Sequence, residues 1–181
     1  MESIIGVLNS LATTRAQDAL NSFMQQISNI YSALCNHPYF NSLNIEVGQK
    51  SPKGLSRNSY NIITYSSTDG RHSVAISRLS TAQMNCVAMS TYLSLSNALK
   101  HNLGFMLLDD PSQNLDFEHK KSLALILKGL NPSTQIVIGT HDSELGNLLT
   151  SELPRSGTFW YDLNWIPSEG TKVMRKDELN A

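Results

Sequence analysis

Residues 105–116 read Phe-Met-Leu-Leu-Asp-Asp-Pro-Ser-Gln-Asn-Leu-Asp, an apolar run that ends in two adjacent carboxylates and a turn. A second apolar run, Ile136–Gly139, ends in Thr140-His141-Asp142. Both read as strands. Asp109 and His141 stand 141 − 109 = 32 positions apart, the length of one helix plus one strand. That is a single crossover unit, so the two strand tips can be neighbours. Strands alternating with helices imply a parallel sheet, in which reacting groups belong at the C-terminal ends of the strands. Asp109, Asp110 and His141 all sit there.

The remaining pattern surrounds this unit. From Ile4 to about Leu34 there is no proline, and the only glycine is Gly6. Ala16, Leu20, Phe23, Ile27, Ile30 and Leu34 alternate steps of four and three, the seam of a coiled coil or of a packed long helix. About three such repeats are visible, and an ordinary amphipathic helix has the same signature. His37-Pro38 stops the helix. Short strand-like runs follow at Leu43–Val47, Tyr60–Tyr65 and Ser73–Ile76, with Asp69-Gly70 as a hairpin turn. Between the first two, Gly48 to Ser59 reads as a polar, basic loop containing Pro52, Lys53 and Gly54. A helix is expected from Thr81 to Leu99, a strand at Phe105–Leu108 and a helix at about Asp116–Leu130. After these come a strand at Gln135–Ile138, a helix at about Ser143–Leu149, and closing strands at Thr158–Leu163 and Thr171–Met174.

A length of 181 residues is that of one domain with a substantial core. Fourteen Lys plus Arg against fifteen Asp plus Glu leave a net charge of −1, so bulk electrostatics give nucleic-acid binding no support. Cys35 and Cys86 fit neither a disulfide framework nor a metal site and read as reduced thiols of a cytosolic protein. No apolar stretch reaches the roughly 18 residues that span a membrane, and no secretory leader opens the chain. Lys176-Asp177-Glu178-Leu179 is not a retention address, because Asn180 and Ala181 follow it.

Three elements carry chemistry. A carboxylate at a strand end before a sharp turn can hold magnesium through water against nucleotide phosphates, which is the role open to Asp109. Its neighbour Asp110 could then act as general base on an attacking water. Strand ends also carry acids that are merely solvated. Pro111 fixes the turn, and Asn114 or Asp116 can cap the following helix. His141 could sense a terminal phosphate, or simply bond to backbone. Ser80-Thr81-Ala82-Gln83 has the spacing of a capping box, and the same helix start offers free N–H groups and a positive end to an anion.

Taken together, Leu79–Gln83, the Asp109-Asp110-Pro111 strand end and Thr140-His141-Asp142 resemble, in order and spacing, the C-terminal half of an ABC-type ATPase head. The resemblance is to the structural-maintenance-of-chromosomes (SMC) branch, including the coiled-coil ATPases of double-strand-break repair. It covers roughly Leu43 to Leu149, with the helix before it similar to the returning coiled-coil arm. It implies an α/β lobe with a mostly parallel sheet flanked by helices, a small strand hairpin, a coiled-coil-like helix over residues 1–37 and an ATPase lobe over 38–181. By the same resemblance, Ser80, Thr81, Ala82 and Gln83 form the signature that meets the γ-phosphate of ATP held by an opposing head. Asp109 positions Mg2+, Asp110 takes the place of the catalytic glutamate, and Ser112–Asp116, with Asn114 and Asp116, is the loop that communicates across the dimer. His141 is the switch histidine. ATP and Mg2+ are the implied cofactors and a second head of a homodimer is the implied partner. DNA enters through the resemblance alone; a nuclease subunit is left open, and no membrane partner is implied. The implied location is cytoplasmic, on the nucleoid, or nuclear in a eukaryote.

Two departures stand out. Thr81 and Ala82 replace two signature glycines and add side chains where backbone must approach phosphate. Asp110 is one methylene shorter than glutamate, and a displacement of about 1 Å can slow a reaction about a hundredfold. No glycine-rich phosphate loop with its lysine occurs anywhere. The chain is therefore expected to be the C-terminal lobe of a head whose Walker A lobe is separate, and to hydrolyse essentially no ATP alone. The alternative is a degenerate ABC-fold interaction module without ATPase activity; a transporter-type ATPase half is disfavoured.

Overall fold

A computed structural model describes residues 4–35, 37–50, 57–98, 104–130 and 134–175. The first element is a 31-residue helix, α1 (Ile4–Leu34). Its apolar seam is increasingly covered along its length: Ile4, Ile5, Val7, Leu8 and Leu11 are exposed, whereas Ile27, Tyr31 and Leu34 are buried. Leu20, Phe23 and Ile30 flank those buried positions against the core. The helix thus leaves the globular part as an arm and enters it as a core element.

A meander follows: β1 (Ser42–Lys50), β2 (Arg57–Tyr65) and β3 (His72–Val74), paired antiparallel in that order. β1 and β2 are longer than the sequence pattern predicts. Polar pairs Gly48↔Ser59, Gln49↔Asn58 and Lys50↔Arg57 continue the ladder into both ends of the stretch read as loop. Cross-strand backbone bonds carry it there, where apolar alternation has ended. Pro52, Lys53 and Gly54 lie outside the described residues, as does the segment 176–181. β3 is shorter than expected, because Ala75–Ser77 closes into a 3-10 turn that buries Ala75. Gly70 has φ +68°, as the Asp69-Gly70 hairpin requires.

α1 lies along β1 and satisfies its backbone with side chains. Gln17 Oε1 accepts from the Val47 amide at 2.7 Å, and Gln17 Nε2 donates to the Ile45 carbonyl at 2.9 Å. Ser28 Oγ accepts from the Leu43 amide at 3.2 Å. Strand groups that would otherwise invite another chain are thereby occupied.

The second half runs α2 (Thr81–Ala98), β4 (Phe105–Asp109), α3 (Phe117–Lys128), β5 (Gln135–Gly139) and α4 (Ser143–Glu152), then the hairpin β6 (Tyr161–Ile166) and β7 (Gly170–Arg175). β4 and β5 pair in parallel with Asp109 opposite Gly139, the neighbouring tips that the 32-position spacing predicts. Among the described residues this is the parallel pair; β6–β7 is antiparallel. Alternation splits β4: Met106 and Leu108 are buried in the core with Leu123, Ala124 and Leu127 of α3 and Leu145 and Leu149 of α4. Phe105, Leu107 and Val137 remain about half exposed on the other face. The hairpin also displays Leu163, Trp165 and Val173, with Leu163 directly opposite Val173. No helix among the described residues is long and apolar enough to cross a membrane.

Candidate functional site

The tips of β4 and β5 bring three of the sequence-predicted residues together. Asp109 ends β4 on the exposed face and faces Gly139 across the ladder. A Cβ at position 139 would touch Asp109 Oδ1 at 3.6 Å, so glycine keeps that flank of the carboxylate open. Asp110 then turns out of the strand with φ +47°, a left-handed conformation that costs a non-glycine residue on the order of 1 kcal/mol or more. Its own contacts hold it there. The Asp110 amide donates to the Gly139 carbonyl at 2.7 Å, and Thr140 Oγ1 donates to Asp110 Oδ1 at 3.1 Å. His141 Nδ1 lies 3.2 Å from Asp110 Oδ2, with the His141 side chain 88% exposed. A carboxylate, a hydroxyl and an imidazole thus meet at an open strand end.

The loop beyond is rigid for identifiable reasons. Pro111 and Ser112 are buried. Asn114 is the second non-glycine residue with positive φ, +63°, and asparagine tolerates that region better than most. Asp116 caps α3, accepting from the His119 amide at 3.0 Å. Asn85, one turn into α2, donates to the Gln113 carbonyl at 2.8 Å and ties α2 to this loop.

Ser80 and Gln83 form both bonds of a capping box: Ser80 Oγ accepts from the Gln83 amide at 3.3 Å, and Gln83 Oε1 accepts from the Ser80 amide at 2.9 Å. The first-turn N–H groups of Thr81 and Ala82 lie outside this exchange and have no intrahelical partner to find. Ser80 and Thr81 are exposed and Ala82 half-buried. Among the described residues, no hydrogen bond joins Ser80 to Asp109, Asp110 or His141. This helix start faces solvent.

Sequence reading missed the node that locks α4 beneath the site. Asp142 caps α4, with Oδ1 accepting from the Glu144 and Leu145 amides at 2.9 and 3.2 Å. Its Oδ2 accepts from buried Ser112 Oγ at 2.8 Å and lies 2.8 Å from Lys120 Nζ, which also meets Glu144 at 2.8 Å. Lys120, then Ser112 and the two amides, hold the Asp142 carboxyl well below the usual carboxylate range, against the opposing effect of burial. Aspartate directly before a helix was the available sequence signal for the cap; the Lys120 contact had none.

No family model matches the chain. Among solved structures, it superposes on a chain from work on ATP-driven dimerisation and DNA-stimulated activation of SMC ATPases. That match has a TM-score of 0.63 over 93% of this chain and 98% of that one, at 13% identity. The chain has the fold of SMC head domains. An SMC head bound to the C-terminal winged-helix domain of ScpA matches this lobe with a TM-score of 0.60, at 14% identity, over 90% of this chain and 45% of that one. Among curated proteins, the Rad50 DNA double-strand break repair ATPase of Sulfurisphaera tokodaii is 32% identical over 82 residues, 45% of this chain and 9% of that protein. The Rad50 ATPase of Saccharolobus solfataricus is 27% identical over 143 residues, 78% of this chain and 15% of that protein. Arcadin-4 of Pyrobaculum calidifontis is 30% identical over 104 residues, 58% of this chain and 13% of that protein. The lobe therefore spans 9% to 15% of the length of these curated relatives.

Proposed function

We propose that this lobe supplies half of an ATP site that is completed by a Walker A lobe and closed by a second, identical head. The supporting observation is the open tip of β4–β5, where Asp109, Asp110, Thr140 and His141 converge above a sheet too small to stand alone. A parallel sheet is ordinarily buried on both faces, yet Phe105, Leu107 and Val137 are left about half exposed. A complementary lobe answers both needs. The solved SMC head extends well beyond the matched part, since this chain covers only 45% of it.

Asp109 suits a hard divalent cation: its oxygens are exposed and Gly139 leaves their flank clear. With ATP bound, Mg2+ would neutralise charge developing on the phosphates. The chain's own groups do the rest. Asp110, held by Thr140, accepts a proton from water; His141, with Nδ1 3.2 Å from Asp110 Oδ2, faces the terminal phosphate. Ser80, Thr81, Ala82 and Gln83 present helix-start amides to the nucleotide of the opposing head. Asn114 and Asp116, linked to α2 through Asn85 and Gln113, report across the dimer.

The process served is DNA repair, chromosome maintenance or defence against foreign DNA, with DNA and a nuclease subunit as partners. This reading draws on the Rad50 and SMC relatives, because the net charge gives DNA no help. The second reading is a degenerate interaction module, favoured by the Thr81 and Ala82 side chains at the signature. Reconstitution with the matching Walker A lobe separates the two. ATP-dependent dimerisation with phosphate release supports the ATPase; a stable lobe–lobe complex that neither dimerises on ATP nor releases phosphate supports the module. ATP turnover by the 181 residues alone would contradict both.

A further inference from the structure

We propose that Cys35, Cys86 and His119 form a binding site for a zinc-like divalent metal ion that clamps the coiled-coil arm to the signature helix and to α3. The three residues lie far apart in sequence, 86 − 35 = 51 and 119 − 86 = 33 positions. In the fold they converge: one ligand atom from each lies within 4.8 Å of the other two. Cys35 directly follows α1, Cys86 sits in the second turn of α2, and His119 in the first turn of α3. No two ligands come from the same element.

Their chemistry selects the class of ion. Two sulfurs and one imidazole are the donor set of borderline to soft metals, zinc above all, and are poorly suited to Mg2+ or Ca2+. Tetrahedral bond lengths of about 2.3 Å to sulfur put two ligating sulfurs about 3.8 Å apart. Small side-chain rotations therefore suffice to close the cluster on an ion. The fourth position falls to water, as in three-ligand sites.

The surroundings are those of a supported site. Asp116 Oδ1 lies 2.6 Å from His119 Nδ1, which leaves Nε2 as the nitrogen that would bind, in the carboxylate–histidine–metal arrangement. Cys35 and Cys86 are buried to 1% and 0% exposure, while the His119 side chain is 22% exposed and gives an ion a way in. The Tyr31 hydroxyl, beside the cluster, lies 3.2 Å from the Phe40 carbonyl.

Metal binding here needs no nucleotide and no second lobe, so it is tested on the reduced, chelator-stripped 181-residue chain. Titration with Co2+ should saturate at one equivalent, with a thiolate charge-transfer band and the visible bands of tetrahedral cobalt. Zn2+ should then displace it and raise the melting temperature. Cys86→Ser should lose the band. His119→Gln, at a partly exposed position where folding is least at risk, should weaken binding by tenfold or more. Asp116→Asn should keep the band and weaken binding about 10- to 100-fold. Absence of the band from a chain that far-UV circular dichroism shows to be folded would overturn the proposal. So would a band undiminished in both Cys86→Ser and His119→Gln.

Discussion

Leu107→Glu probes the surface on which the proposed assembly depends. Leu107 is 56% exposed on the outer face of β4, between Phe105 at 42% and Val137 at 43%. Full burial of a large apolar side chain contributes about 1.5–3 kcal/mol, so covering the remaining half of each contributes about 1 kcal/mol, or about 3 kcal/mol for the three. A glutamate at 107 forfeits leucine's share and places an unpaired carboxylate in the interface, at a cost of several kcal/mol. Affinity for the Walker A lobe should then fall more than about 100-fold, since each 1.4 kcal/mol is a factor of ten. The chain itself should lose no more than about 1 kcal/mol, from weaker strand preference and the nearby Asp109 carboxylate. Its melting temperature should therefore move by only about 2–4 °C. Leu125→Glu, on exposed α3, adds the same charge elsewhere and serves as the control. Fluorescence anisotropy with a labelled Walker A lobe reads the affinity, and thermal melts read the fold. Unchanged affinity in Leu107→Glu would refute the assignment of this face to the missing lobe.

Three further outcomes are expected. In the completed head, Asp110→Asn abolishes phosphate release while leaving ATP-driven dimerisation, and full turnover in that variant would remove Asp110 from the role of base. Ser80→Ala opens the capping box and lowers stability by about 1 kcal/mol, whereas Ser80→Asn restores the cap. If Ser80→Asn recovers the melting temperature but not ATP-dependent dimerisation, Ser80 acts beyond the helix start; recovery of both leaves it a cap alone. Asp142 has a depressed folded pKa, so its stabilisation is present above the unfolded value of about 3.9 and is lost as pH falls below it toward the folded value. Asp142→Asn should therefore lower the urea midpoint at pH 7 and flatten its decline in acid; equal slopes for both proteins would remove Asp142 as a source of acid sensitivity.

Much of the site was legible because its signals are local. An apolar run with an acid at its end specifies a strand and its tip, and a fixed crossover length makes two such tips neighbours. Ser80 and Gln83, three apart, announce their reciprocal bonds in the same way. What remained hidden depends on contacts between distant segments. The polar stretch after Val47 reads as loop because it lacks alternation, yet ladder bonds that ignore side chains make it strand. Lys120 could have been ordinary surface until α3 and α4 packed and brought it to Asp142 and Glu144.

By itself, the order of residues determined the arm helix, the strand tips that carry Asp109, Asp110 and His141, and the absence of a phosphate loop. Each follows from short-range periodicity, turn chemistry or a motif that is simply missing. Tertiary structure alone decided which face of β4–β5 stays uncovered and which side chains meet where α1, α2 and α3 pack together. Cys35, Cys86 and His119 have no shared spacing to reveal them; they meet because burying the α1 seam against α2 and α3 forces three helices onto one point.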